Sequence, residues 1–147
     1  MMFVLVLCCS TPVHAEEKSV NLELTAYLPG FGVEYQWDES KTLGINYTAA
    51  QNFNVHLTHY NDGVFEGGFY QNGFIGYDDG RKNGLISEGA FVYVGAVSGY
   101  QWMWDNGVNV NLDGGLMLLL FPSNKDAYVL PLPAFAISVG YAFSLGE

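Results

Sequence analysis

Hydrophobic and polar residues alternate with a period of two along most of the chain, and the alternation is longest at its end. From Pro133 to Leu145, Phe135, Ile137, Val139, Tyr141, Phe143 and Leu145 fall on one face. Ala134, Ala136, Ser138, Gly140, Ala142 and Ser144 fall on the other. A period of two marks a β-strand, and this run outlasts most soluble strands. One face is large and apolar; the other is small and uncharged. A soluble sandwich would hide the bulky face and cover the other with charges. A narrow closed barrel in lipid would do the reverse, with bulky residues outward and small ones in a tight lumen.

The same reading predicts seven earlier strands. Val20–Leu28 sets Leu22, Leu24, Ala26 and Leu28 against Asn21, Glu23, Thr25 and Tyr27. Phe31–Trp37 sets Val33, Tyr35 and Trp37 against Glu34 and Gln36. Thr42–Ala50 sets Leu43, Ile45 and Tyr47 against Asn46 and Thr48, and Phe53–Tyr60 sets Val55 and Leu57 against His56 and Thr58. The fifth, Val64–Tyr77, is irregular, and its glycines 67, 68, 73 and 76 suggest bulges. The sixth, Ile86–Trp104, is apolar on both faces, so its parity cannot be read. Val108–Leu120 sets Val108, Val110, Leu112, Leu116, Leu118 and Leu120 against Asn109, Asn111, Asp113 and Gly115. Phe121–Leu130 reads as a loop. The earlier connections are short and several carry Asn, Asp or Gly, as in Asn61-Asp62-Gly63 and Asp105-Asn106-Gly107. Each strand then pairs with the next: an all-β, eight-stranded antiparallel up-and-down transmembrane barrel.

Composition sharpens this in three places. Met1–Ala15 has an apolar stretch, then Pro12 and a Val-His-Ala end, the pattern of a cleaved secretory signal. Residues 16–147 then form the barrel. Both cysteines, Cys8 and Cys9, fall in that leader, so the remainder has neither a disulfide nor a cysteine metal site. The formal charge is −10, which argues against nucleic acid because phosphate binding needs clustered Lys and Arg. No apolar run approaches the roughly 18 residues of a membrane helix. Tyr27, Trp37, Tyr60, Tyr77, Trp102, Trp104 and Phe121 sit near strand ends, where aromatic girdles meet the two membrane interfaces.

Short motifs carry a family resemblance. They are Gly99-Tyr100-Gln101-Trp102 with Asp105-Asn106-Gly107, then Gly114-Gly115, and the terminal Val139-Gly140-Tyr141-Ala142-Phe143. Gly32-Val33-Glu34-Tyr35 and Leu43-Gly44-Ile45 add to them. With these the chain resembles the small outer-membrane barrels of the outer-membrane protein X and OmpA group, including barrel families of unknown function. The resemblance implies a bacterial outer-membrane location, contact with outer-membrane lipid, and assembly by the barrel assembly machinery. Ser138, Gly140, Phe143 and Leu145 match the spacing of that machinery's terminal recognition signal, although Gly146-Glu147 follow where such chains usually stop. The expected protein is a monomer that meets any extracellular partner through residues 78–84 and 121–130.

Chemistry is sparse. His56 and Thr58, with Glu66 beyond the next turn, loosely resemble the His-x-Ser and acid of the outer-membrane lipid A deacylase, with threonine in place of serine. His56 and His59, three apart, fall on opposite faces of a strand and make a poor metal pair. No cofactor motif is present, and no glycine cluster joins a strand to a helix as a phosphate loop would. Glu23, Glu34, His56, Thr58, Glu66, Asn109, Asn111 and Asp113 are the expected polar lumen residues. The five basic residues, Lys18, Lys41, Arg81, Lys82 and Lys125, all fall at strand ends or in loops, so the inward acids have no strand-borne cation partner. The expectation is a structural or surface-interaction barrel without enzymatic activity. The alternatives are a lipid-modifying enzyme using His56, and a lipocalin-like binder of an apolar ligand with its apolar faces inward.

Overall fold

Eight antiparallel strands close into one barrel in chain order. The computed structural model describes residues 18–26, 30–48, 52–80, 90–121 and 128–145. The strands are β1 Ser19–Thr25, β2 Gly30–Asp38, β3 Lys41–Thr48, β4 Asn52–Tyr60, β5 Gly68–Asp78, β6 Phe91–Met103, β7 Val108–Phe121 and β8 Tyr128–Ser144. The Met1–Ala15 leader lies outside the described residues, as do Tyr27 and Leu28.

Register fixes the shape. Thr25 of β1 faces Ser138 of β8. Followed around the wall through Gly30, Thr48, Asp78 and Phe121, the register returns to β8 at Tyr128, ten residues away. That stagger, over eight strands, tilts them about 40° from the barrel axis. It also makes the rim opposite the chain ends climb from β1 to β8. Among the described residues, 128–136 of β8 pair with β7 but have no neighbour on the β1 side.

This free edge explains why β8 begins at Tyr128, earlier than the sequence suggests. Ala26 N–H donates to the Ile137 carbonyl across the β1–β8 seam at 3.0 Å, so odd-numbered β8 residues turn their backbone polar groups toward β1. Pro131 and Pro133 share that parity. Their missing N–H groups therefore fall on the open side, where no ladder bond is lost.

The period-two faces hold all round. Leu112, Leu118, Ile137 and Val139 are 41–51% exposed on the outer surface, while Asn109 and Asn111 are 0% and 5% exposed inside. The parity of β6 is settled: Phe91, Tyr93, Val97, Gly99 and Gln101 are the buried residues, and Val94, Ala96, Ser98 and Trp102 are exposed. Two girdle residues change sides. Tyr60 and Phe121 are buried in the interior, because Tyr60 shares its face with His56 and Thr58, and Phe121 with Asn109 and Asn111. Trp37, Tyr77, Trp102 and Trp104 are exposed outside.

Apolar clusters occupy the two ends of the lumen. The segment expected to open the fifth strand instead forms the β4–β5 connection, and β5 starts at Gly68. Val64 and Phe65 of that connection tuck under the barrel against Tyr60, Tyr70, Ala142 and Met103. Phe65 adopts a positive φ of 58°, and Gly63 and Gly67 beside it have φ of 122° and 88°, so this tight reversal needs left-handed backbone. At the other end Phe91, Tyr93, Leu119 and Phe121 pack with Phe74, Met117 and Leu132. Polar residues lie between the clusters, as β5 shows in the order Tyr70, Asn72, Phe74.

The lumen is filled by setting large side chains against glycines on the adjacent strand. His56 faces Gly44, Phe74 faces Gly95, and Tyr93 faces Gly76. A Cβ on Gly99 would collide with the Tyr70 ring and, at 2.7 Å, with Asp113. Gly73, outward, has nothing within 4 Å of the same position. Gly99→Val should therefore cost about 1–3 kcal/mol of stability, as overpacking does. Gly73→Val should stay within about 0.5 kcal/mol, as surface changes do. Denaturant midpoints of the two variants measure the contrast.

Candidate functional site: the polar lumen

Inward residues of β1, β7 and β8 form an amide cluster around Glu23. Asn21 and Asn111 each donate a side-chain N–H to Glu23 Oε1, at 2.9 and 2.7 Å. Asn109 donates to Asn21 Oδ1 at 2.8 Å. Asn111 Nδ2 also lies 3.3 Å from Asn109 Oδ1 and 3.2 Å from Ser138 Oγ. The cluster crosses the seam where the first and last strands meet, so it ties the barrel's closure with side chains as well as backbone.

A second cluster gathers on β2, β3 and β4 around Glu34. Thr42 Oγ1 donates to Glu34 Oε1, and Tyr60 OH donates to Oε2 at 3.1 Å. His56 Nε2 stands 3.8 Å from Glu34, and its Nδ1 is 3.4 Å from Asn46 Nδ2. Thr58 Oγ1 accepts from Asn72 at 3.0 Å. Tyr70 OH donates to Asp113 Oδ2 at 2.8 Å. Each of these carboxyl groups is thus held by neutral donors rather than by a strand-borne Lys or Arg.

The sequence-named residues divide plainly. Glu23, Glu34, His56, Thr58, Asn109, Asn111 and Asp113 lie on the inner face. Glu66 does not: it sits exposed in the β4–β5 connection, because the strand expected to carry it begins two residues later. His56 and Thr58 share the inner face of β4, but no hydrogen bond joins them, and Glu66 reaches neither. His59 faces outward opposite Gln71. Among the described residues no three His, Cys, Asp or Glu side chains converge to hold a metal ion. Of the terminal signal, Ser138 and Gly140 are buried inward, Phe143 is half-buried, and Leu145 is exposed.

Sequence reading missed Thr42, Tyr60, Tyr70 and Gln101 as members of the interior. Parity alone would have found the first two, since each is an even number of residues from an inward neighbour on its own strand. Tyr70 and Gln101 were hidden by the irregular fifth strand and the ambiguous sixth. Gln101 is fully buried with neither amide atom partnered, and Asn46 Oδ1, Thr48 Oγ1, Asn54 Oδ1 and Asn111 Oδ1 also lack protein partners. Buried polar groups of this kind are hydrated in folded proteins. The arrangement is a hydrogen-bonded filling of the lumen, in which His56 and Thr58 have separate partners.

Glu34→Ala would leave the buried Thr42 and Tyr60 hydroxyls without their acceptor. The expected loss is about 2–4 kcal/mol, from unsatisfied donors and lost packing. Glu39→Ala, at an exposed turn, should change stability by less than about 0.5 kcal/mol in the same denaturation assay. No protein-family model matches the chain, and no curated protein or solved structure matches it.

Proposed function

We propose that this chain is an integral outer-membrane β-barrel with a structural or surface-interaction role, of the kind its motifs resemble. The single observation that carries this reading is the inverted polarity of the wall. Leu22, Leu24, Ile45, Leu57, Ile75, Leu112, Ile137 and Val139 are exposed on strands whose opposite faces bury Asn21, Thr42, Thr58, Asp78, Asn111 and Ser138. Exposing that much apolar surface to water would be costly, at roughly 25 cal/mol per Å², whereas acyl chains receive it without that penalty. A lipocalin-like binder would need the apolar faces turned inward, and here the long ones are outward.

The described strand lengths support this reading. β5 to β8 have 11, 13, 14 and 17 residues, enough for the roughly 9–11 that cross hydrocarbon. The described residues of β1 to β4 number 7, 9, 8 and 9, so β2 and β4 reach the same range. Residues 78–84 and 121–130 begin at the rim opposite the described chain ends, the side on which outer-membrane barrels carry their outer loops. They are the proposed contact surface for an extracellular partner. Phe143 and Leu145, on the outer face of the last strand, are the proposed contacts of the barrel assembly machinery.

The test is cell fractionation combined with gel mobility. The protein should stay in the membrane pellet through carbonate washing. It should also migrate faster unheated than boiled, as a folded barrel resists detergent. Release into the carbonate wash would contradict the proposal.

A further inference from the structure

His56 stands between two strands, with each ring nitrogen near a different partner. Nε2 lies 3.8 Å from Glu34 Oε1 on β2, and both side chains are buried. Nδ1 lies 3.4 Å from the amide nitrogen of Asn46 on β3. A Cβ on Gly44 would strike the imidazole, so the ring depends on the glycine beside it. Both contacts fit a neutral ring. Nδ1 accepts from the Asn46 amide, and Nε2–H stops short of a hydrogen bond to the carboxylate. One atom of this group is left over: Asn46 Oδ1 is buried without a hydrogen-bond partner.

A proton on His56 reverses this arrangement, because the charged ring donates at both nitrogens. Nδ1–H then faces an N–H. A half-turn of the planar Asn46 amide removes the conflict, since it exchanges the nitrogen for the unpartnered oxygen within the same volume. Nε2–H gains a charge-assisted attraction to Glu34, stronger than the neutral hydroxyl bonds from Thr42 and Tyr60 that hold Glu34 now. The described lysines do not compete: Lys18 bonds the Trp37 carbonyl, and Lys41 lies 3.5 Å from Asp38. The inward residues of β3 beside the ring, Thr42, Gly44 and Asn46, do not titrate, and β5 sets Phe74 opposite it. The other inward titratable groups are Tyr60 on β4 itself, Tyr70 and Asp78 of β5, Tyr93 of β6, and, across the lumen, Glu23 of β1 and Asp113 of β7. Each of those carboxyl groups has a donor of its own.

Tyr60 carries the change to the end of the barrel. Its hydroxyl bonds Glu34 Oε2 at 3.1 Å, and its ring packs 5.7 Å from Phe65 in the turn tucked under the barrel. Phe65 holds a φ of 58°, which a non-glycine residue keeps only while its surroundings enforce it. We propose that His56 is a proton-operated switch for this cap. When charged, it takes Glu34 and the Asn46 oxygen as its partners. Tyr60 then loses its acceptor, and the Val64–Phe65 cap loosens. Every group involved lies in the lumen or at its end, so the switch does not depend on lipid around the wall.

The test is an NMR titration of the folded full chain in neutral detergent, from about pH 8 to about pH 4, a span that brackets the usual imidazole range. As the pH falls, both ring nitrogens of His56 should become protonated, and the Asn46 side-chain amide should shift with the same midpoint. The Val64 amide donates to the Glu39 carbonyl at 3.2 Å. Its protection from hydrogen exchange should fall about tenfold through that midpoint, the loss of one good hydrogen bond. His59, which faces outward, is the internal control and should titrate without moving either signal. In His56→Gln the acid response of the cap should vanish. Tyr60→Phe covers the case in which that variant does not fold: it should keep the His56 and Asn46 titration but show weak Val64 protection at every pH. A His56 that stays neutral to about pH 4, an Asn46 amide unmoved as His56 titrates, Val64 protection independent of pH, or an acid response retained in His56→Gln would overturn the proposal.

Discussion

The lumen of an eight-stranded barrel is only wide enough for side chains, and every other feature of this protein answers to that limit. With the wall staggered by ten residues, each inward position shares its space with inward positions on the adjacent strands. Where two large residues stand abreast, as Tyr60 and Tyr70 or His56 and Phe74 do, the flanking strand must give room. The chain meets this by opposing His56 to Gly44, Phe74 to Gly95, and Tyr93 to Gly76. The small face of β8, with Ala134, Ser138, Gly140 and Ala142, is the same solution along a single strand.

Once the middle of the lumen is committed to small and hydrogen-bonded groups, the bulky apolar residues are left its two ends and the outer face. The inverted polarity thus follows from closure as much as from any preference for lipid. The interior must then satisfy its own polar atoms. Glu23 and Glu34 each gather neutral donors from two or three strands, and Tyr70 does so for Asp113. These networks bind strands distant in sequence, such as β1 to β7, which backbone pairing alone does not connect.

Much of this was legible wherever a strand kept strict alternation. The faces of β1 to β4, β7 and the later half of β8 follow from reading every second residue. Legibility failed for identifiable reasons. Val64 and Phe65 look like the start of a strand because burial, not pairing, selects their apolar character. Tyr128 to Leu130 look like the end of a loop because the sequence does not say that the nitrogens of Pro131 and Pro133, just beyond, face an open edge. Both faces of β6 are apolar, so Val97 inside and Val94 outside are chemically alike. Tyr60 and Phe121 were placed by residue type when their strand parity already put them inside.

The central claim is that alternate residues of β8 face hydrocarbon and an enclosed lumen. Nitroxide labels at Ile137→Cys, Ser138→Cys and Val139→Cys, in a chain lacking Cys8 and Cys9 and folded into lipid bilayers, test it most directly. The account predicts strong relaxation by dissolved oxygen and weak relaxation by a polar nickel chelate at 137 and 139, with oxygen access falling sharply at 138. Three labels with the same accessibility, or the nickel chelate favoured at 137 and 139, would contradict it.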